Sequence, residues 1–380
     1  ILDDGISSQN PNPIPFIGVD NTLRAGDVAQ TITGVVDHGL ITNNSAGPRD
    51  YKINATVPPV FARENNRTTM PANVGGNIKV ASFNVLNYFT TFINGTNSAG
   101  QSGQGCSLGG SVSASNCRGA NNSVEFTRQR DKIINAIAAM NADVVGLIEI
   151  QNNGAVAIQN LVDGLNSKMG TGTYARVNDP VTGTGDDAIK VAMIYKPAKV
   201  ATVGASLSDI DSINNRPTVA QTFAVANGEK FSVLVNHFKS KGSCPSTSAS
   251  SDPDQDQGDG QGCWNNLRMQ QAHRLVSGFI PQVQAAAGDN DVIVIGDLNA
   301  YGKEDPIQLL SDAGFIDQVE RFDGQEGYSY VFDGEAGYLD HALANASISA
   351  QISGTTIWKI NADEPSVIDY NTEFKPQDLY

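Results

Sequence analysis

Long apolar runs are missing from this chain: nothing in its 380 residues approaches the roughly 18 consecutive apolar residues that a membrane-spanning helix needs. The chain opens at Ile1 without a basic, apolar leader, so a processed or excised fragment is expected. Aromatic residues are scarce at 7% and charged residues at 17%, while glycine reaches 38. That composition excludes a helical bundle and fits a loop-rich extracellular protein with much β-structure. A basic excess is also lacking. The net charge is −15, which argues against a nucleic-acid partner, because phosphate binding normally leaves a basic footprint. A locally basic groove stays possible through Arg128, Arg130 and Lys132, then Lys190 and Lys196, then Lys239 and Lys241, although solvated surface charge accounts for them equally. Cys-x-x-Cys metal spacing is absent too. Cys106 with Cys117, and Cys244 with Cys263, each bracket a polar, Gly/Ser-rich loop. Closing a short loop costs the least chain entropy, so two local disulfides in an oxidising, extracellular compartment are expected; other pairings and reduced thiols remain formally open.

What is present falls into two parts. Residues 1–75 alternate short β-like runs, such as Asp27 to Val36, with turn residues, and a Pro/Asn-rich stretch runs from Val57 to Asn77. This reads as a small β-module and linker ahead of a larger domain at 76–380. Beyond Ile78, β-branched apolar runs recur at Ile78 to Val85, Val144 to Ile150, Val191 to Tyr195, Phe231 to Val235 and Val292 to Ile295, and each predicts a buried strand. One-face apolar stripes between them predict helices at Ile133, Ile134, Ile137 and Ala138, at Ile158, Leu161, Val162 and Leu165, and over Leu267 to Val283. Long loop-rich gaps, and the hairpin-length spacing between Val331 and Leu343, favour a mixed sheet or an α/β sandwich over a purely parallel sheet.

Polar residues sit at or just past the ends of these strands: Asn84, Glu149, His237, Asp297 with Asn299, and Asp340. Strand ends are where a buried scaffold presents side chains to a cleft. Asp297 and Asn299 flank Leu298, so a period of two points both to one face; a simple turn would use the same residues. Glu149 ends a run so apolar that its carboxylate needs a cation, either a nearby Lys or Arg or a hard ion such as magnesium. Magnesium retains several waters, so a sparse pair of Asn84 and Glu149 is an adequate site. His237 precedes Lys239 and Lys241 and suits proton transfer to a leaving oxygen, although a core histidine bonded to backbone is the commoner use. Asp186 and Asp187 precede the Lys190 strand and are candidates to orient His237 or to hold metal; a Gly-rich turn favours Asp in any case. His38 and His273 read as structural. The run Asp252, Asp254, Asp256, Gly258, Asp259 approaches a calcium loop but has its glycine off by one and no terminal Glu.

Taken in order, Ser-Phe-Asn-Val-Leu-Asn (82–87), Leu-Ile-Glu-Ile (147–150), Asn-His-Phe-Lys-Ser-Lys-Gly (236–242), Ile-Gly-Asp-Leu-Asn-Ala (295–300) and Tyr-Leu-Asp-His-Ala-Leu (338–343) resemble the DNase I-like endonuclease/exonuclease/phosphatase superfamily. The Asp259-Gly-Gln-Gly-Cys-Trp and Ile360-Asn-Ala-Asp-Glu-Pro segments, the latter running to Asp369-Tyr-Asn, are similar to secreted bacterial nucleases of the ExeM/NucH type over roughly residues 78–380. The resemblance implies an α/β sandwich of two mixed sheets flanked by helices, preceded by part of an OB-like barrel. It implies that Glu149 and Asn84 hold the catalytic metal and that His237 is the acid/base group. Asp297 and Asn299 would position phosphate and water, and Asp340, with Asp187, would complete the network. Asn236, Lys239 and Lys241 would bind substrate. The cofactor implied is Mg2+, with Mn2+ as a substitute and Ca2+ as a further structural ion. The expected activity is metal-assisted hydrolysis of extracellular DNA by a monomer, with little sequence preference. The alternatives are a lipid or inositol phosphodiesterase, which needs an exposed apolar hairpin that the sequence does not show, and a noncatalytic binding module. One departure stands out: the superfamily ends in Ser-Asp-His-Asp-Pro, and this chain stops at Gln377-Asp378-Leu379-Tyr380, about where that motif should begin. A polypeptide ending there is expected to turn over feebly or not at all.

Overall fold

Every apolar run singled out above becomes a strand, and every stripe a helix. A computed structural model describes residues 1–6, 11–18, 22–41, 48–246, 252–332 and 334–373, so the chain's last residues, where the closing motif was sought, lie outside the described part. Two compact units emerge, Ile1–Thr68 together with Lys359–Tyr380, and Thr69–Trp358. The smaller unit holds β1 (Leu2–Asp3), β2 (Val28–Ala29), β3 (Gly34–Leu40), β4 (Arg49–Ala55) and β5 (Phe61–Ala62). Among the described residues these form a three-stranded sheet, β1-β4-β3, and a separate β2-β5 pair. Arg24 is buried there, with its guanidinium on Asp363, Glu364 and the carbonyls of Lys359 and Ile360.

The larger unit begins with β6 (Val80–Tyr88), a hairpin of β7 (Cys106–Leu108) and β8 (Ser111–Ser113), and α1 (Ser123–Met140). Next come β9 (Val144–Gln151), α2 (Val156–Met169), β10 (Ala175–Arg176) and β11 (Ile189–Tyr195). Then follow β12 (Ala201–Asp209), β13 (Thr218–Ala224), β14 (Lys230–His237) and α3 (Asn265–Arg274). A π-helical turn over Leu275–Phe279 leads to α4 (Ile280–Ala287), β15 (Val292–Asp297), α5 (Asp305–Asp312), β16 (Phe315–Asp317) and α6 (Gln318–Asp323). The hairpin β17 (Tyr330–Phe332) and β18 (Glu335–Gly337) precedes β19 (Asp340–Asn345). Helix α1 starts where the Asn122 side chain accepts the N–H groups of Val124 and Glu125, an N-cap that satisfies otherwise orphaned donors.

The strands make a four-stranded sheet, β10-β11-β9-β6, and a six-stranded sheet, β12-β13-β14-β15-β19-β16, both of mixed direction. Alternation along the strands divides the core. Phe231, Val233, Val235, Ile293, Ile295 and Ala344 join Val144, Ile148, Val191 and Met193 between the sheets. Leu234, Val292, Val294 and Leu343 face the other way, onto Leu275, Phe279, Val283 and Leu310 of the helical layer. Each fully buried aliphatic side chain contributes about 1.5–3 kcal/mol. At Gly146 the facing sheet comes close: a Cβ there would lie 2.7 Å from Ile295 Cδ1 and 2.8 Å from Val235 Cγ2. The DNase I-like α/β sandwich is thus present. Both expected disulfides, Cys106–Cys117 and Cys244–Cys263, are formed. Among the described residues no helix is long and apolar enough to cross a membrane.

Candidate active site

The inter-sheet parity, carried to the ends of the strands, fixes where the polar residues go. His237 continues Phe231, Val233 and Val235; Asp297 continues Ile293 and Ile295; Asp340 precedes Ala342 and Ala344. Parallel β14 and β15 pair His237 with Asp297, and antiparallel β15 and β19 pair Asp297 with Asp340. Three chemically active side chains therefore share one row across three neighbouring strands. His237 Nε2 lies 3.9 Å from Asp297 Oδ2, and His237 Nδ1 is buried with no hydrogen-bond partner among the described residues. The Asp297 carboxylate accepts the Asn299 N–H at 2.9 Å, Asn299 donates its amide to the Phe238 carbonyl at 3.1 Å, and Ser329 donates to Asp340 at 2.8 Å.

Electrostatics at this row are set by burial. Desolvation, followed by the charge of Asp340, pushes the Asp297 carboxyl well above its ordinary range, against the Asn299 N–H, which lowers it. Burial also raises Asp340, with Ser329 opposing. Burial, and then the nearby Arg216 cation, draw His237 well below the usual histidine value, so its ring is neutral at pH 7.

On the facing sheet, Glu149 accepts the Asn84 amide at 3.1 Å and the Asn87 N–H at 2.9 Å, and Asn84 Oδ1 accepts the Leu86 N–H. Among the described residues no lysine or arginine forms an ion pair with Glu149. The backbone here is held in the left-handed region: φ is 69° at Glu149, 53° at Asn87, 48° at Leu86 and, on the other sheet, 49° at Asn299. Non-glycine residues rarely adopt such values, which persist where surrounding structure over-determines them, often at functional sites.

Two arginines that sequence reasoning missed complete the setting. Arg216 lies just ahead of β13 and donates to the carbonyls of His237 and Phe238. The charges of Asp187, Asp297 and Glu149 all bear on it. Asp187 binds Arg118 at 3.1 Å and Arg216 at 3.7 Å. It serves these guanidiniums and does not orient His237. Neither arginine stands in an apolar strand, and the pairing spans three separate segments, so no local pattern could reveal it.

The model of the Endonuclease/Exonuclease/phosphatase family matches residues 81–363, well over half of the sequence. The chain belongs to the endonuclease/exonuclease/phosphatase family. It is thereby a hydrolase of the nuclease and phosphatase kind, in a family whose members are metal-dependent. Among solved structures, the human Nocturnin catalytic domain with bound sulfate is similar at 18% identity over 60% of this chain and 78% of that one, with a TM-score of 0.42. A humanized D. rerio TDP2 is similar at 14% identity over 70% and 83%, and a Bacteroides thetaiotaomicron mannosyl-6-phosphatase at 14% over 71% and 86%, both with TM-scores of 0.43. No curated protein sequence matches the chain.

Other expected contributors to the family site are placed elsewhere. Asn236 is fully buried, accepting from Thr218 and donating to Leu234 and Ile295, so its amide is spent inside the sheet and cannot meet substrate. Lys241 is held by both oxygens of Glu304, at 2.6 and 2.7 Å, and Lys239 lies over the Trp264 ring, bonded to the Ser240 and Gly242 carbonyls. Lys190 is committed to Asp179, and Lys196 to Asn141 and Asp143. Of the cations that left a basic groove open, these four lysines are engaged internally, Lys190, Lys196 and Lys241 with carboxylates and Lys239 with the Trp264 ring and backbone carbonyls. Carboxylates of the suspected calcium loop cap local backbone: Asp252 takes the Asp254 N–H, Asp254 that of Leu267, Asp256 that of Gly258, and Asp259 that of Gln261.

Among the described residues no three of His, Cys, Asp and Glu converge into a ready-made metal cage. A sparsely ligated hard ion still fits. Asp297 feels the negative charge of both Asp340 and Glu149 against the positive charge of Arg216, an excess that a divalent cation would offset.

Proposed function

We propose that this chain is an extracellular, Mg2+-dependent nuclease that hydrolyses DNA phosphodiester bonds with little sequence preference. One observation carries the reading: the row of His237, Asp297 and Asp340 stands at the end of one sheet, Asn84 and Glu149 stand on the other, and Arg216 is in electrostatic reach of both. Glu149, with Asn84, would hold the ion, and the ion when bound supplies positive charge where the phosphate oxygens become more negative. Neutral His237 is the acid/base group, able to hold a proton at Nδ1 while Nε2 faces Asp297. Asp297 and Asn299 orient the attacking water and the phosphate, and Asp340 steadies Asp297. Arg216 adds a fixed cation in a water-poor setting. Contacts of this kind address phosphate and not base edges, which accounts for the expected lack of sequence preference.

Plasmid cleavage with Mg2+ or Mn2+, abolished by chelator, tests the reading. Glu149→Gln is expected to lose at least ~100-fold in rate, the usual scale for removing one preorganised charged group. No cleavage under any divalent cation would overturn the proposal. A second reading has one observation behind it. The sequence shows no apolar hairpin, yet Tyr330 and Phe332 on the β17–β18 hairpin are exposed and stacked at 6.3 Å, an arrangement able to enter a lipid interface. Hydrolysis of sphingomyelin vesicles without DNA cleavage would favour that lipid phosphodiesterase.

A further inference from the structure

Arg118 is exposed, yet the residues on both sides of it are buried. The preceding residue, Cys117, is buried and closes the disulfide to Cys106, and both pack with Phe89, Ala188 and Ile189. The following residue, Gly119, lies against the site: a Cβ there would come within 2.6 Å of the Asn87 carbonyl and 2.7 Å of Phe89 Cβ. Asn87 is the residue whose N–H holds Glu149. Ala120 and Asn121 then pair by backbone with Ile93 and Asn94. Buried, bonded backbone on both sides thus anchors the base of a long cationic side chain next to the segment that holds Glu149.

The charge balance at Arg118 points outward as well. Asp187 is shared between Arg118 and Arg216, so two guanidiniums divide one carboxylate and neither has it to itself. The Arg216 side chain retains only 10% of its exposure and is occupied with the His237 and Phe238 carbonyls, whereas the Arg118 side chain retains 39%. A guanidinium has five donors, so the ion pair with Asp187 leaves several for an oxyanion. In a chain of net charge −15, an exposed cation fixed beside catalytic carboxylates is where a polyanion can gain purchase.

We infer that Arg118 forms a phosphate subsite of its own, binding a phosphodiester next to the scissile one, with Asp187 and the Cys106–Cys117 disulfide as the devices that position it. The inference rests on the nuclease reading above and deepens it. Such a subsite serves polymeric substrates, since a small diester has no neighbouring phosphate to offer.

Steady-state cleavage of DNA and of bis(4-nitrophenyl) phosphate by the intact protein, as wild type and as Arg118→Ala, separates the possibilities. For DNA, KM is expected to rise about 10-fold and to change more than kcat, the scale of one charge-assisted hydrogen bond. The logarithmic salt dependence of DNA binding should become shallower by about 0.9, the signature of one lost phosphate contact. Arg118→Lys should recover part of the affinity, and kcat/KM for the small diester should fall far less than for DNA. The pair Cys106→Ala with Cys117→Ala, checked for folding by its melting transition, should reproduce the KM effect. An unchanged salt slope and KM in Arg118→Ala would overturn the subsite while leaving the nuclease reading intact. A wild-type protein that hydrolyses the small diester but neither binds nor cuts DNA would overturn both.

Discussion

Asp297 is the residue at which burial and charge compete most directly. Its carboxyl is raised by desolvation and by Asp340, so the folded state binds its proton more tightly than the unfolded state does. Stability from this group is present below the unfolded carboxylate value and lost as pH rises through the folded one. His237 behaves in the opposite sense. Its folded value lies well below the ordinary one, so its contribution holds above the unfolded histidine value and is lost as pH falls through the folded one. Metal-free protein is therefore squeezed from both sides, and at pH 7 the unrelieved cost comes from the carboxylates. Asp297→Asn is expected to raise the metal-free melting temperature at pH 7 while abolishing turnover. Added Mg2+ should stabilise the wild type by mass action and the variant less. Calorimetric scans with and without Mg2+ check this, and a variant that melts below the metal-free wild type would refute it.

Gly146 shows how an element places the site at a distance. It sits within β9, three residues before Glu149, where side chains of the facing sheet leave no room for a Cβ. Gly146→Val would drive β9 away from Ile295 and Val235, at a cost of about 1–3 kcal/mol for overpacking. It should also separate Glu149 from Asp297, so activity should fall by more than the lost stability explains; urea titration alongside kinetics measures both. Elements differ in how openly they announce themselves. β9, β14 and β15 read from sequence because they are nearly unbroken apolar runs. β12 and β13 did not, since β13 buries Gln221 and Thr222, satisfied by the Val203 carbonyl and the Ser232 hydroxyl, and such pairing is invisible until the neighbouring strand is known. The same reason separates the site residues. His237, Asp297 and Asp340 announce themselves by polarity at strand ends, and Asn84 and Glu149 by polarity within strands expected to end there, whereas Lys241 and Lys190 read as free cations only while Glu304 and Asp179 go unseen.

At the scale of the molecule, net charge and local charge part company: an acidic chain gathers Arg216 and Arg118 around Asp187, and Arg216 bears on Asp297 beside His237. The other molecule-wide feature concerns connectivity. Arg24 draws its partners from Lys359, Ile360, Asp363 and Glu364, so the smaller unit is assembled from both extremities and the catalytic sandwich is threaded into it as a guest between two segments of its host. Shortening the polypeptide after Trp358 should strand a buried guanidinium, a penalty of about 3–5 kcal/mol. Differential scanning calorimetry should then show the host's transition vanish while the guest's endures. A late proteolytic nick would accordingly strip away the appendage assembled from the earliest residues and leave the sandwich folded.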